Sequence, residues 1–254
     1  MKPETIVSPE KISEAFRWLR GVAADVAIFV YTVGFGSLAI VGTLLTRKPW
    51  PVDVLAPIWS RWILAACGIH VEVVGLQHID PTKPYVIICN HLSNLDIVVT
   101  LAALPLKIHF VAKKELVRLP FFGQALALSD HIVIDRSNPE VAIARINARV
   151  AQQIDQGFCI LFYAEGTRSP DGKVHAFKKG GVSLAVRTGL PIVPMSVSGT
   201  RKFLPKRSAI IRPGGRVRIV IDAPIATTGC TDEGRDALNE RVRQIVVRNY
   251  IEDY

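Results

Sequence analysis

With 254 residues the chain can build one principal hydrophobic core with an appendage. Lys and Arg number 31 against 22 Asp and Glu, a formal +9, beside a hydrophobic fraction of 49% and a mean hydropathy of +0.28, a pairing that suits a membrane surface or an anionic substrate. No basic low-complexity tail or nucleic-acid motif occurs, which sets nucleic acid aside as a partner; Cys67, Cys89, Cys159 and Cys230 lack CxxC spacing and read as free buried thiols in a reducing compartment, not a disulfide framework or zinc site.

The first element is apolar. Val26 to Leu45 carries no charge over twenty residues, and at about 1.5 Å per residue such a helix covers the roughly 30 Å of a bilayer's hydrocarbon core. Arg17 and Arg20 precede it and Arg47 and Lys48 follow, so flanking charge gives no orientation. Trp18, Trp50, Trp59 and Trp62 lie near its ends or just after, as interfacial anchors do. From Val54 to about Ile69 a second apolar stretch, interrupted by Pro57 and Arg61, reads as an amphipathic helix in the headgroup region. Residues 1–74 are therefore expected to form a membrane-anchoring helical hairpin, whether spanning or lying in one leaflet. A cleaved secretory signal fits less well, because Glu4, Glu10 and Glu14 precede the apolar core and no small-residue cleavage site follows it; a buried helix of a soluble protein is the other alternative.

Residues 75–254 alternate strand and helix signals and predict an α/β domain whose mostly parallel sheet is flanked by helices. Tyr85–Cys89, Ile108–Ala112, His131–Ile134, Phe158–Tyr163, Ile192–Val197 and Val217–Ile221 have strand length and apolarity, the last entered through Pro213-Gly214-Gly215. Helices are expected over Asp96–Leu104, over 141–154 after a Ser137-x-x-Glu140 capping box, and at the carboxyl end, where Leu238, Val242, Ile245 and Val246 recur at helical spacing.

The first of these strands ends abruptly in Asn90-His91-Leu92-Ser93-Asn94-Leu95-Asp96. If a helix starts near Ser93 or Asn94, His91 lies on the turn and Asp96 in the first helical turn, where its carboxylate can accept the imidazole Nδ1–H and leave Nε2 facing outward. That fixes the tautomer a general base for an alcohol needs. Helix capping accounts for Ser93, Asn94 and Asp96 but leaves His91 unexplained. Two further strands end in Glu165-Gly166-Thr167-Arg168 and Asp135-Arg136, loops able to offer N–H groups and guanidinium groups to an oxyanion or phosphate. Open α/β sheets take ligands beyond the carboxyl ends of their strands, so the three ends point to one crevice.

His91-Leu-Ser-Asn-Leu-Asp96, Val133-Ile-Asp135-Arg136, Phe162-Tyr-Ala-Glu165-Gly166-Thr167-Arg168-Ser169 and Ile192-Val-Pro194-Met-Ser-Val197, taken in order over roughly residues 75–225, resemble the four blocks of the glycerolipid acyltransferases, and among them the 1-acyl-sn-glycerol-3-phosphate acyltransferases. Ala112-Lys113-Lys114-Glu115-Leu116 resembles the segment between the first two blocks. Ala164 stands where the third block usually has proline, and Asn138 and Pro139 stand near where the second often has a further arginine. The resemblance implies transfer of a fatty acyl group from a thioester of coenzyme A or acyl carrier protein to the 2-hydroxyl of lysophosphatidic acid, giving phosphatidic acid. It also implies His91 as base, Asp96 as its holder, Lys113 as oxyanion stabiliser, and Arg136, Glu165, Gly166, Thr167 and Arg168 as the glycerol-phosphate site. No metal or other cofactor is expected, since a thioester is already activated and no ligand cluster is visible. The expected place is the inner or cytoplasmic membrane, with the catalytic domain facing the cytoplasm; oligomeric state is left open.

Other features read as structural. Ser183 in Gly181-Val-Ser-Leu-Ala185 sits in an apolar helical run without the closing glycine of a nucleophile elbow. His175, Lys178 and Lys179 fit either an anionic head group or a solvated loop. His70, His78, His109 and His131 show no evident partners in the sequence. The competing functions are an acyltransferase for another lysophospholipid or lyso-aminolipid, a membrane-tethered hydrolase using Ser93 with His91, and a lipid-binding protein without catalysis.

Overall fold

The apolar runs become strands of one sheet in the computed structural model, which describes residues 9–135, 139–208, 210–231 and 233–254. The strands are β1 (Ile69–Val74), β2 (Val86–Cys89), β3 (Ile108–Lys113), β4 (Ile132–Ile134), β5 (Cys159–Tyr163), β6 (Ile192–Ser198) and β7 (Gly215–Ile221). Their spatial order is β1-β7-β6-β2-β5-β3-β4. From β6 to β4 all pairings are parallel; β7 runs antiparallel to β6, and β1 is parallel to β7. Hence the carboxyl ends of β6, β2, β5, β3 and β4 share one edge, and β2 lies at the centre of the first three.

The helices are α1 (Pro9–Thr46), α2 (Trp50–Cys67), α3 (Leu95–Ala103), α4 (Phe122–Leu128), α5 (Pro139–Asp155), α6 (Gly180–Thr188), α7 (Thr200–Phe203) and α8 (Arg235–Asn249). Strand side chains alternate between faces, and both faces are covered. Ile87, Leu161, Val197 and Ile219 pack with Ile63 of α2 and Val99 of α3, while Ile88, Ile160 and Ile192 pack with Val150, Val182 and Val246 of α5, α6 and α8. Each such side chain, fully removed from water, is worth roughly 1.5–3 kcal/mol. Burial on both faces is why β2 reads as an unbroken apolar run rather than an alternating one.

The amino-terminal helices form a hairpin. Trp59 donates its indole N–H to Thr32 Oγ1 (3.2 Å), Trp62 meets Tyr31 edge to face at 5.4 Å, and a Cβ on Gly42 would lie 3.1 Å from Pro51. Among the described residues, Phe16–Thr46 is the one stretch long and apolar enough to cross a membrane, and only 17% of its most apolar window is buried. Phe29, Leu38 and Leu45 are 66%, 61% and 80% exposed, which is unlike the core helix of a soluble protein. α1 also runs well before Val26. There Gly21 lies against the Ile211 carbonyl so closely that a Cβ would come within 2.7 Å, and Asp25 accepts the Ile211 N–H (3.3 Å).

Two expectations change. α2 does not merely lie at a surface: Ile63, Leu64 and Cys67 are buried in the main core, with Trp62 and Val54 on its outer side. β1 falls before the expected boundary at residue 75, yet all six of its residues pair with β7, so the sheet begins inside the segment assigned to the anchor. The four cysteines are free, with Cys230 only half-buried.

Candidate active site

β2 delivers the polar stretch to the sheet edge, and Asn90 fixes where it goes. Its fully buried amide receives the Val197 N–H and donates to the Val197 carbonyl, both at 2.9 Å, which locks the end of β2 to β6. The next residue is gripped by the loop after β5: the His91 N–H donates to Glu165 Oε1 (2.9 Å), and the His91 carbonyl accepts the Ser169 N–H (2.7 Å). Both main-chain groups of His91 are thus held by one neighbouring loop, so its side chain leaves a fixed point.

His91 Nδ1 lies 2.7 Å from Asp96 Oδ2. A carboxylate only accepts, so Nδ1 carries the proton and Nε2 the lone pair. The same Oδ2 accepts the N–H groups of Leu92 (2.7 Å) and Ser93 (2.9 Å), and Oδ1 accepts the Thr200 hydroxyl (2.5 Å). Asp96 is completely buried, whereas the imidazole keeps 13% of its surface open. One partner is sealed and the other reachable, the asymmetry an acid–base pair needs. The imidazole stacks on Tyr163 with centroids 4.2 Å apart and planes at 17°; burial pushes the Tyr163 phenol well above its usual range, so that ring stays neutral beneath the imidazole.

Asn94, at the helix N-cap, makes no side-chain cap. Ser93 Oγ accepts the Leu95 N–H (3.2 Å) and donates to the Leu204 carbonyl (2.7 Å), and Ser93 is fully buried, which removes it as a nucleophile facing a substrate.

Glu165 is buried, and its second oxygen accepts the His175 N–H (3.1 Å); each oxygen therefore holds a backbone group, and burial raises its pKa. Gly166, with φ +72°, leaves the space in which the Lys178 chain lies: a Cβ there would meet Lys178 Cε at 2.7 Å. Lys206 Nζ donates to Thr167 Oγ1 (3.3 Å) and the Arg168 carbonyl (2.6 Å). Arg168 is half-buried with no carboxylate partner among the described residues. Lys113 stands at the end of β3 on the same edge, two strands from β2, half-exposed and 3.2 Å from Glu115, out of contact with the dyad. Arg136 lies outside the described residues, as do the side chains of the expected capping box.

Asn90, Tyr163, Thr200 and Lys206 were not singled out from the sequence. Asn90 and Tyr163 adjoin singled-out residues; Thr200 and Lys206 meet the site across 104 and 38 residues of chain, which no spacing reveals. Three of the histidines read as structural are indeed satisfied, by partners that the sequence does not show: His109 Nε2 lies 3.2 Å from Asp53 Oδ1, His131 Nδ1 accepts the Phe110 N–H (3.3 Å), and His78 Nδ1–H donates to the Ile221 carbonyl (2.9 Å). All three bind elements together away from the dyad.

An apolar pocket lies where α1 and α2 meet α3 and β3, lined by Phe35, Val52, Trp59, Ile97, Leu101 and Phe110 among others. Ile97 follows Asp96 in the chain, and Phe110 stacks at 6.1 Å on Tyr163, so the pocket wall continues to the ring beneath His91.

The family model described as Acyltransferase matches residues 70–198, from the second residue of β1 to the last of β6. A 1-acyl-sn-glycerol-3-phosphate acyltransferase of Cocos nucifera is 30% identical over 239 residues, covering 91% of this chain and 77% of that protein. One of Pseudomonas aeruginosa is 35% identical over 184 residues, covering 72% and 69%. The crystal structure of the 1-acyl-sn-glycerophosphate acyltransferase PlsC from Thermotoga maritima superposes with a TM-score of 0.76 at 26% identity, covering 92% of this chain and 95% of that one. With residues 70–198, just over half its length, matched by the family model and a relative 30% identical over 91% of the chain, the chain belongs to the acyltransferase family.

Proposed function

We propose that the protein transfers a fatty acyl group from a thioester of coenzyme A or acyl carrier protein to the 2-hydroxyl of 1-acyl-glycerol-3-phosphate, forming phosphatidic acid at a membrane surface, with its catalytic domain on the cytoplasmic side. The observation that carries this reading is the 2.7 Å contact of a reachable His91 imidazole with a buried, fully hydrogen-bonded Asp96, in a chain whose relatives bear that activity in their names.

His91 Nε2 takes the hydroxyl proton as the oxygen attacks the thioester carbonyl. The tetrahedral intermediate collapses with loss of the C–S bond, and the imidazolium returns the proton to the departing thiolate, so alcohol and thioester become ester and thiol. Asp96 orients the ring and supports its positive charge. The phosphomonoester is held by Arg168 with the Thr167 hydroxyl, the Gly166 backbone and Arg136, helped by Lys178 and Lys206. Glu165 is a positioning residue in this reading: its two oxygens serve main-chain N–H groups, and a carboxylate turned on a phosphate would repel it. Lys113 reaches the developing oxyanion only by leaving Glu115, which gives it a secondary part. The apolar pocket fits a hydrocarbon chain, and the exposed apolar surface of α1 fits lipid. The reaction needs no metal or further cofactor.

A hydrolase through Ser93 is disfavoured by that residue's burial and its bond to Leu204. The deciding experiment offers membranes containing the protein a panel of lyso-acceptors with both donor types. Phosphatidic acid made from lysophosphatidic acid in preference to other acceptors supports the reading; preference for another lysophospholipid or lyso-aminolipid, or release of free fatty acid, replaces it.

A further inference from the structure

Beyond the residues that the family model matches, the segment after α8 makes contacts that the chemistry by itself does not require. The Tyr250 hydroxyl donates to the Gly172 carbonyl (2.5 Å), and the Ile251 N–H donates to Ser198 Oγ (3.0 Å). Lys202 Nζ donates to the Asp253 carbonyl (2.9 Å), and the Tyr254 hydroxyl donates to Glu72 Oε2 (2.6 Å). The Tyr254 ring covers Gly199, where φ is +92° and a Cβ would lie 3.1 Å from Cδ1.

Two of these anchors lead to the dyad from opposite sides. The Gly172 N–H donates to Ser169 Oγ (3.0 Å), and the Ser169 N–H holds the His91 carbonyl (2.7 Å). Ser198 and Gly199 directly precede Thr200, whose hydroxyl holds Asp96. A single five-residue segment therefore bonds to the support of the imidazole and to the support of the carboxylate.

We propose that Tyr250–Tyr254 is a brace that positions the His91–Asp96 dyad by tying the 169–172 loop to the joint between β6 and α7, with Tyr250 and Thr200 as positioning residues. The proposal rests on the dyad chemistry given above. Ser198, Gly199 and Thr200 form a short joint between a strand and a four-residue helix, and a glycine at its centre supplies no stiffness of its own. The brace supplies it. Burial pushes the Tyr250 phenol up to about 12, which keeps it a neutral donor at any working pH. A displacement of about 1 Å among reacting groups can cost roughly 10²-fold in rate, so a loose joint lowers turnover while leaving the substrate sites intact.

The test measures kcat and KM for both substrates with the full-length protein in lipid vesicles. The variants are Tyr250→Phe, Thr200→Val, Thr200→Ser and a chain shortened to end at Asn249, each with its melting temperature; wild type and His91→Ala are run beside them. We expect kcat to fall about three- to tenfold for Tyr250→Phe and about 10- to 100-fold for Thr200→Val and the shortened chain, with KM held within about twofold. Thr200→Ser, which keeps the hydroxyl, should recover most of the activity. Wild-type kcat in Tyr250→Phe and the shortened chain overturns the brace, as does a loss confined to KM or matched by the fraction of unfolded protein, or a Thr200→Ser variant as poor as Thr200→Val. If the shortened chain does not fold, Tyr250→Phe and the Thr200 pair decide the matter. Failure of the dyad reading is distinct: wild type would show no transfer, or His91→Ala would retain it, and the brace would fall with it.

Discussion

Among the described residues, His91–Asp96 and His175–Asp171 are histidine–aspartate pairs of nearly equal length, and they differ in almost everything but distance. His91 and Asp96 lie 2.7 Å apart with the carboxylate wholly buried; His175 and Asp171 lie 2.8 Å apart with both side chains 47% exposed. Asp96 gathers two further N–H groups and a hydroxyl from a distant helix, and its imidazole rests on an aromatic ring. Asp171 is held below the usual carboxylate range by the Lys173 N–H and then by the His175 ring, all on its own loop. A short contact alone does not make a base. In the proposed mechanism burial of one partner, reach of the other and bonds from separate elements do, because they fix the ring where water cannot reorganise it.

That contrast can be broken most severely at His91. Replacement by Ala should lower kcat about 10²–10⁴-fold with little change in melting temperature, and retention of more than a tenth of the activity would remove the distinction between the pairs. Asp96→Ala should lose comparable activity and also roughly 1–3 kcal/mol of stability, since the Leu92 and Ser93 N–H groups and the Thr200 hydroxyl lose their acceptor; denaturant titration checks it. Glu165 sharpens the comparison through pH. Burial raises its pKa above 4.5, so the folded state holds that proton more tightly than the unfolded chain does. Its stabilising contribution is full below the unfolded pKa and is lost as pH rises through the folded one. The melting temperature of wild type relative to Glu165→Gln should accordingly improve as pH falls from 7 toward about 4, and a constant difference would contradict it. Lys113→Ala should lower kcat less than about tenfold, in keeping with its exposed pairing to Glu115. Smallest of all, Asp171→Asn should change kcat less than about twofold, the loop having other main-chain ties.

Much of this was legible from residues alone, where the physics is local. The buried strands announce themselves as apolar runs, the α1 core as an uncharged stretch, and the dyad as a histidine that capping does not explain. Spacing gave His91 and Asp96, and their bond is there. β1 was hidden because Ile69-His-Val-Glu-Val-Val74 follows an apolar helix with only Gly68 between them, and its partner lies near residue 215. The reversed direction of β7 depends on how the chain returns to the sheet, which no periodicity encodes. The Thr200 and Tyr250 pairings span 104 and 78 residues, and both Glu165 oxygens accept backbone N–H groups from residues that no spacing in the sequence joins to it.

In the proposed mechanism His91 presents a bare Nε2 to the substrate because Asp96 holds the proton on Nδ1. ¹⁵N-histidine NMR of the protein in detergent micelles, with the His91 signals assigned by their loss in His91→Gln, reads this directly. The neutral ring should carry its proton on Nδ1, and Asp96→Asn should alter that signal. A neutral ring protonated on Nε2, or a His91 signal indifferent to Asp96→Asn, would contradict the account.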